Sequence, residues 1–438
     1  MKTPIIDFVK AYKKRGCTRA HMPGHKGKAF LGAEAFDITE ISGADELYSA
    51  KGIIKKSMQN AAELFGTAAT FYSTEGSTLA IKAMLATALE DKEKTRVLAA
   101  RNVHKAFIYA AAELDFEVEW LYGVSDSICE CNITAEQVDA ALKEGGFYAV
   151  YITSPDYLGN IADVKGISSV CEKYGVPLLV DNAHGAYLKF LEKSAHPIEL
   201  GAAMCADSAH KTLPVLTGGA YLHISKKYAQ YVNVAAKKLP IFASTSPSYL
   251  ILQSLDLCNK YLKKYKTEYQ ICAKRVVKIK NTLKNNGFLL LNTEPLKITV
   301  DAAKMGYSGY ELCRIFEGRG VIPEFADEDY LVLMLSPQNG ERDFRRIAKI
   351  KAEKRVSRQQ GTAAPAKGKQ AVSVRRAVFA KSERAAVRES VGRICAAPTV
   401  SCPPAVPIII SGELIDGRAV ELLEKYGVEF IEVIADEN

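Results

Sequence analysis

The sequence predicts an α/β protein: a large domain built on a mostly parallel sheet covered by helices on both faces, then a smaller α/β region. Three observations carry this. Helix-period and strand-period segments alternate from residue 52 onward. FYAVYIT (147–153) and VPLLVD (176–181) are nearly unbroken apolar runs, the pattern of strands buried on both faces. The alternation resumes after a long helical stretch, as LKITVD (296–301), SGYELCRIFEGRG (308–320) and YLVLMLS (330–336).

In chain order, residues 1–50 read as an arm with one short helix, Ile5 to Lys14, followed by Gly and Pro. The large domain is expected over 51–285. IIKKSMQNAAELFG (53–66) has helical spacing and stops on Gly66; ATFYST (69–74) is β-rich; GSTLAIKAMLATALE (76–90) is helical. TRVLAA and FEVEWLY read as strands around the helix HKAFIYAAAELD. Thr134 and Gln137 form a capping box that opens the next helix. GISSVCEKYG is helical and VPLLVD is a buried strand. A long helix is expected from about Pro247 to Asn285, ended by Gly287. The C-terminal region spans 286–438. It holds the helix RDFRRIAKIKAEK, a polar linker over 357–374, a helix near 381–391, PPAVPIII and the helix GRAVELLEKYG.

Composition limits the function classes. The 438 residues are 48% hydrophobic and 25% charged, which excludes a disordered, collagen-like or coiled-coil chain. No apolar run approaches the roughly 20 residues of a membrane helix. MKTPIIDFVKAYKKRG has no signal-peptide core, so a cytoplasmic protein without membrane partners is expected. Ten cysteines at irregular spacings read as reduced thiols. Only Cys129 and Cys131 are close, and no second pair or histidine pair stands at zinc-site spacing, so no metal is expected. The net charge of +8 is uneven: 345–393 holds fifteen Lys and Arg against three Glu. That stretch reads as a solvated helix and linker or as a nucleic-acid contact. No aromatic residue lies between Phe344 and Phe379 to stack on bases, so no nucleic-acid partner is expected.

The chemistry concentrates at strand ends. Asp181 closes VPLLVD, the end of a parallel strand where ligands bind in open α/β sheets; the alternative is a carboxylate capping the next turn. Thirty residues on, Ser208, His210 and Lys211 lie between apolar stretches, followed by Gly218 and Gly219. A Lys in apolar surroundings is a candidate imine-forming amine. A ring-pairing carboxylate, an amine, and hydroxyl and imidazole donors are the set pyridoxal phosphate needs. Upstream, FYSTEGST runs from strand to helix through Gly76, Ser77 and Thr78, a helix start suited to a phosphate. His104 follows TRVLAA; its imidazole could stack on a pyridine ring or simply bond to backbone.

With these residues in hand, the chain resembles the Orn/Lys/Arg decarboxylase family of fold type I (aspartate aminotransferase-like) pyridoxal-phosphate enzymes. The resemblance rests on HMPGHKGK (21–28), DITEISGADELYSAKGII (37–54), ELFGTAATFYSTEGST (63–78), RNVHKA (101–106), TSPDYLGNIADV (153–164), VPLLVDNAHGAY (176–187), ADSAHKTLPVLTGGAYLHI (206–224), STSPSYLILQSLD (244–256) and PPAVPIIISGE (403–413). It is similar to the shorter members, without an N-terminal wing domain.

The resemblance implies pyridoxal 5'-phosphate as cofactor and decarboxylation of lysine, arginine or ornithine to the amine, as in polyamine biosynthesis. Lys211 would hold the cofactor covalently, Asp181 would pair with its ring nitrogen, and His104 and Ala183 would pack on its two faces. Gly76, Ser77, Thr78, Ser208 and His210 would hold the phosphate, and His210 would also assist Lys211. Thr245 and Ser246 would reach the phosphate of a neighbouring subunit in a homodimer, and Glu324 would meet the distal cation of the substrate. Four positions depart from the family pattern: Glu75 for Asn, DNAHG for DEAHG, LTGG for LTQ, and Asp156 for Thr. Aminotransfer, racemisation and β-elimination need the same cofactor grip and remain alternatives, as does a cofactor-binding homologue without activity. A nucleic-acid-binding or scaffold protein is the alternative from another class.

Overall fold

The computed structural model describes residues 1–90, 95–125, 127–265, 267–353, 355–357, 367–398 and 404–436. The chain divides into two compact units, Met1–Asp91 with Pro177–Gln270, and Lys92–Val176 with Ile271–Asn438. Its strands are β1 (Ala69–Ser73), β2 (Arg96–Ala100), β3 (Glu117–Leu121), β4 (Ala149–Thr153), β5 (Leu178–Asp181), β6 (Met204–Asp207), β7 (Ala220–Ile224), β8 (Lys297–Asp301), β9 (Phe325–Ala326), β10 (Tyr330–Met334), β11 (Ser382–Ala386) and β12 (Phe430–Ile434). Among the described residues, the large, mostly parallel sheet counts seven strands, β1-β7-β6-β5 in the first unit and β4-β2-β3 in the second.

In the first unit, β5 and β6 are parallel, with Asp181 level with Ala206, so both strands end at one edge. Leu178, Leu179 and Val180 are buried, as an apolar run covered on both faces should be. β7 runs antiparallel to both β6 and β1. The helix Pro4–Arg15 begins with Pro at its first turn and ends on Gly16 at φ 64°, a left-handed cap that glycine adopts without strain. Two backbone N–H groups of its first turn, Ile5 and Ile6, donate to buried Asp256 at 2.9 and 3.2 Å. That carboxylate thereby satisfies donors that no helix can satisfy internally.

In the second unit, β2 is parallel to β3 and to β4. The capping box of Thr134 and Gln137 forms as expected. A small antiparallel sheet follows, β8-β10-β9, and then the pair β11-β12. Ile128, Leu158, Phe325, Val332, Ile408, Leu423, Ile431 and Val433 share one apolar core.

Two expectations are corrected. The stretch near 381–391 is not a helix but β11 and a short turn. Its Ala, Glu and Arg content favours a helix locally, yet it offers too little apolar surface to bury one. Pairing with β12, whose Ile431 and Val433 are core residues, decides the outcome. The helix at 342–354 is Glu341–Ala348, shorter than expected. The long helix is described as Tyr249–Tyr265 and Thr267–Asn285, residue 266 lying outside the described residues. Of the expected linker over 357–374, residues 358–366 also lie outside them; Gln370 bridges Glu413. Among the described residues, no helix is long and apolar enough to cross a membrane.

Burial pushes Asp327 and Glu294 up to about 7 and Asp156 up to about 6. An acid whose pKa is raised by folding contributes stability that is fully present below its unfolded pKa and lost as pH rises through the folded value. Asp327→Asn removes one such group. The Tm of this variant relative to wild type should therefore rise by several degrees between pH 5 and pH 8. A difference independent of pH would show that Asp327 ionises normally.

Candidate active site at the ends of β5 and β6

Each strand end delivers one part of the site. β5 stops at Asp181, which is 2% exposed; its Oδ1 accepts the N–H of Ala183 at 3.1 Å. The turn after it is fixed by Asn182 N–H donating to the Ala206 carbonyl and Gly185 N–H to the Asn182 carbonyl. β6 stops at Asp207, and Ser208 leads into the single helical turn Ala209–Thr212 that carries His210 and Lys211. Lys211 is half-buried, with Nζ 3.1 Å from His184 Nε2. His210 Nδ1 and its backbone N–H both meet the Gly219 carbonyl, at 3.0 and 3.1 Å.

β1 delivers the cradle. Ser73 Oγ accepts the N–H of Glu75 and donates to the Gly76 carbonyl. Gly76 opens the helix Gly76–Ala88 at φ 73°, its N–H donating to the Gly218 carbonyl at 2.7 Å. Among the described residues, and apart from its chain neighbours and its own helix backbone, no heavy atom lies within 4 Å of where a Cβ at Gly76 would stand, so that position faces open space at the helix start. Ser208 Oγ donates to Ser77 Oγ at 2.8 Å beside it, and Thr78 is exposed. Open space at a helix N-terminus, two adjoining hydroxyls, a buried carboxylate and an amine fit the demands of pyridoxal phosphate.

The departures from the family pattern acquire physical reasons. The Glu75 carboxylate accepts the N–H of Ser244 at 3.0 Å, so it is committed to the segment carrying the exposed Thr245 and Ser246. Burial, and then the charge of Glu75, push the Tyr48 phenol up. Gly218 has φ 97°, and a Cβ there would stand 2.8 Å from the Thr74 carbonyl oxygen; no side chain fits without moving the backbone. Asp156 closes a turn, its Oδ1 accepting the N–H groups of Gly159 and Asn160.

His104 and Glu324 belong to the second unit. His104 caps the helix Lys105–Leu114, its Nδ1 accepting the N–H of Ala106 at 3.1 Å. Glu324 is exposed and accepts a hydrogen bond from Tyr157 Oη at 2.8 Å. It lines a cavity of about 400 Å³ with Pro323, Leu333, Asn339 and Arg346. Asp327 and Asp329, a few residues on, are buried. The sequence pattern does not reveal His184 and Tyr157, the polar partners of Lys211 and Glu324. Both stand inside the motifs DNAHG and TSPDYLGN, but nothing in the chain order pairs them with those residues.

Comparison with known proteins bears on this geometry. Residues 3–300 match the family described as Orn/Lys/Arg decarboxylase, major domain. The uncharacterized protein YaaO of Bacillus subtilis (strain 168) is 30% identical, over 97% of this chain and 94% of that protein. An arginine decarboxylase of the same organism is 28% identical, over 97% of this chain and 93% of that one. Among solved structures, the Francisella novicida lysine decarboxylase LdcF superposes with a TM-score of 0.83 at 14% identity, covering 99% of this chain and 81% of that one. At that identity the structural likeness carries the fold alone.

Proposed function

Since the chain belongs to the Orn/Lys/Arg decarboxylase family, we propose that it removes the α-carboxylate of arginine, lysine or ornithine as CO₂, with pyridoxal phosphate as cofactor. The observation that carries the reading is the convergence in the first unit of buried Asp181, His184-bonded Lys211 and the Ser77–Ser208 pair at an open helix start. The cofactor, when bound, supplies a sink for the electron pair left on Cα as CO₂ departs. Ser77, Thr78, Ser208, His210 and the helix start would hold its phosphate; Asp181 would pair with its ring nitrogen; Ala183 and His104 would pack on its ring faces. Lys211 would hold the cofactor covalently in the resting enzyme. It then delivers the proton that replaces the carboxylate at Cα, exchanging protons with His184. One proton is consumed for each CO₂ and amine formed. Thr245 and Ser246 would reach the phosphate site of a second subunit, giving a homodimer with shared sites.

Glu324 is the proposed reader of the distal cation. Glu324→Gln keeps an acceptor for the Tyr157 hydroxyl and loses only the charge. The KM for the preferred basic substrate in a CO₂-release assay should rise about tenfold or more, the loss expected for one charge-assisted hydrogen bond. The absorbance of the bound cofactor should not change. Wild-type KM in this variant would assign the cation to another residue.

A further inference from the structure

Asp207 closes β6 with no exposure to solvent, and the two imidazoles that face it, His196 and His223, pack against the Phe65 ring. Its carboxylate is the hub of a polar network. Oδ1 accepts from Asn182 Nδ2 at 2.7 Å. Oδ2 lies 3.0 Å from His196 Nε2 and 3.2 Å from His223 Nε2. His223 is anchored from behind by its Nδ1 contact with the Thr70 hydroxyl at 2.8 Å. Burial alone would push this acid up, but the two imidazoles outweigh it and hold Asp207 below the usual carboxylate range. An ionised carboxylate out of water is tolerated only when so paired.

The hub touches both halves of the candidate site through its neighbours. Asn182 directly follows Asp181 in the chain. Ser208 directly follows Asp207, and its hydroxyl meets Ser77. We infer that Asp207, held by His196 and His223, is a positioning residue that fixes Asn182, and through it the turn presenting Asp181, while anchoring Ser208 in the cradle. This rests on the pyridoxal-phosphate reading of the site. It also gives DNAHG a reason. A Glu at 182 would set a second carboxylate against Asp207, whereas Asn supplies an N–H donor.

The same three side chains, His196, Asp207 and His223, place ligand atoms within 4.8 Å of one another and could gather a cation. The hydrogen-bonded arrangement uses Asp207 Oδ1 for Asn182 and Oδ2 for His196, while His223 Nε2 stands 3.2 Å from Oδ2 as a close electrostatic contact.

The test is the pyridoxal phosphate dissociation constant of full-length protein stripped of cofactor, followed by absorbance titration, with metal analysis of the same preparations. Asp207→Asn and Asn182→Ala should each raise it roughly 10- to 100-fold, with far-ultraviolet circular dichroism unchanged. The double variant should lose little more than the worse single one, because loss of the Asp207 charge and loss of the Asn182 amide weaken the same charge-assisted hydrogen bond. A merely structural role for Asp207 would give additive losses. If Asp207→Asn fails to fold, Asn182→Ala alone decides, since it leaves Asp207 and both histidines in place. Wild-type affinity in Asn182→Ala, additive losses, or a stoichiometric metal lost with Asp207→Asn would each overturn the inference. A wild-type protein that binds no pyridoxal phosphate would sink the functional reading itself, and this inference with it. Normal binding by wild type and variants alike would sink the inference alone.

Discussion

Lys211→Ala is expected to abolish covalent cofactor capture and to lower turnover by about 10⁴-fold or more, since it removes the amine proposed both to hold the cofactor and to reprotonate Cα. The fold should survive. Lys211 is half-buried on a single helical turn, Ala209–Thr212, where alanine is fully compatible. The change removes the contact with His184, which is a hydrogen bond between side chains and ties down no backbone. In wild type, borohydride reduction should fix a pyridoxyl group on the peptide containing Lys211, visible by mass spectrometry. In the variant no peptide should carry it. Labelling of another lysine in wild type would refute the assignment.

Asp181→Ala should cost about 10²- to 10³-fold in turnover and weaken cofactor binding by a similar factor, as for removal of one preorganised charge partner from a buried site. The carboxylate is 2% exposed and accepts the backbone N–H of Ala183. Within the protein its loss leaves that donor short of a partner, a local cost. The larger effect falls on the ring nitrogen it would pair with. Asp181→Asn separates the two, because it preserves an acceptor for Ala183 while removing the charge. Turnover in Asp181→Asn close to wild type would show that the charge is not needed.

Much of this site is legible in the sequence, because its parts are local. A buried strand ending in Asp181, a Ser-x-His-Lys turn and a Gly-Ser-Thr helix start are each written in a few consecutive residues, and parallel strands bring their C-terminal ends to one edge. What is not legible depends on pairings across the chain. His196, Asp207 and His223 are scattered along the first unit. They meet only because β7 folds back antiparallel to β6, setting His223 level with Cys205, two residues before Asp207. His184 reaches Lys211 because β5 and β6 run parallel and end side by side. The acidic run from Glu324 to Asp329 is not resolved by sequence, because period and charge do not say which carboxylates a strand end turns inward. Asp327 turns in and accepts the N–H groups of Asp329 and Tyr330, while Glu324 stays outside with Tyr157. The helix expected near 381–391 fails for the same reason, since its composition favours one state and its partner β12 imposes another.

Decarboxylation itself is tested most directly by a single assay. Purified protein supplied with pyridoxal phosphate is given arginine, lysine or ornithine labelled in the carboxyl carbon, and labelled CO₂ and amine are measured together. One of the three should yield CO₂ and its amine in a ratio of one to one, and Lys211→Ala should yield neither. Label retained in a keto acid would make the protein an aminotransferase, and no turnover of any of the three would contradict the proposed decarboxylation.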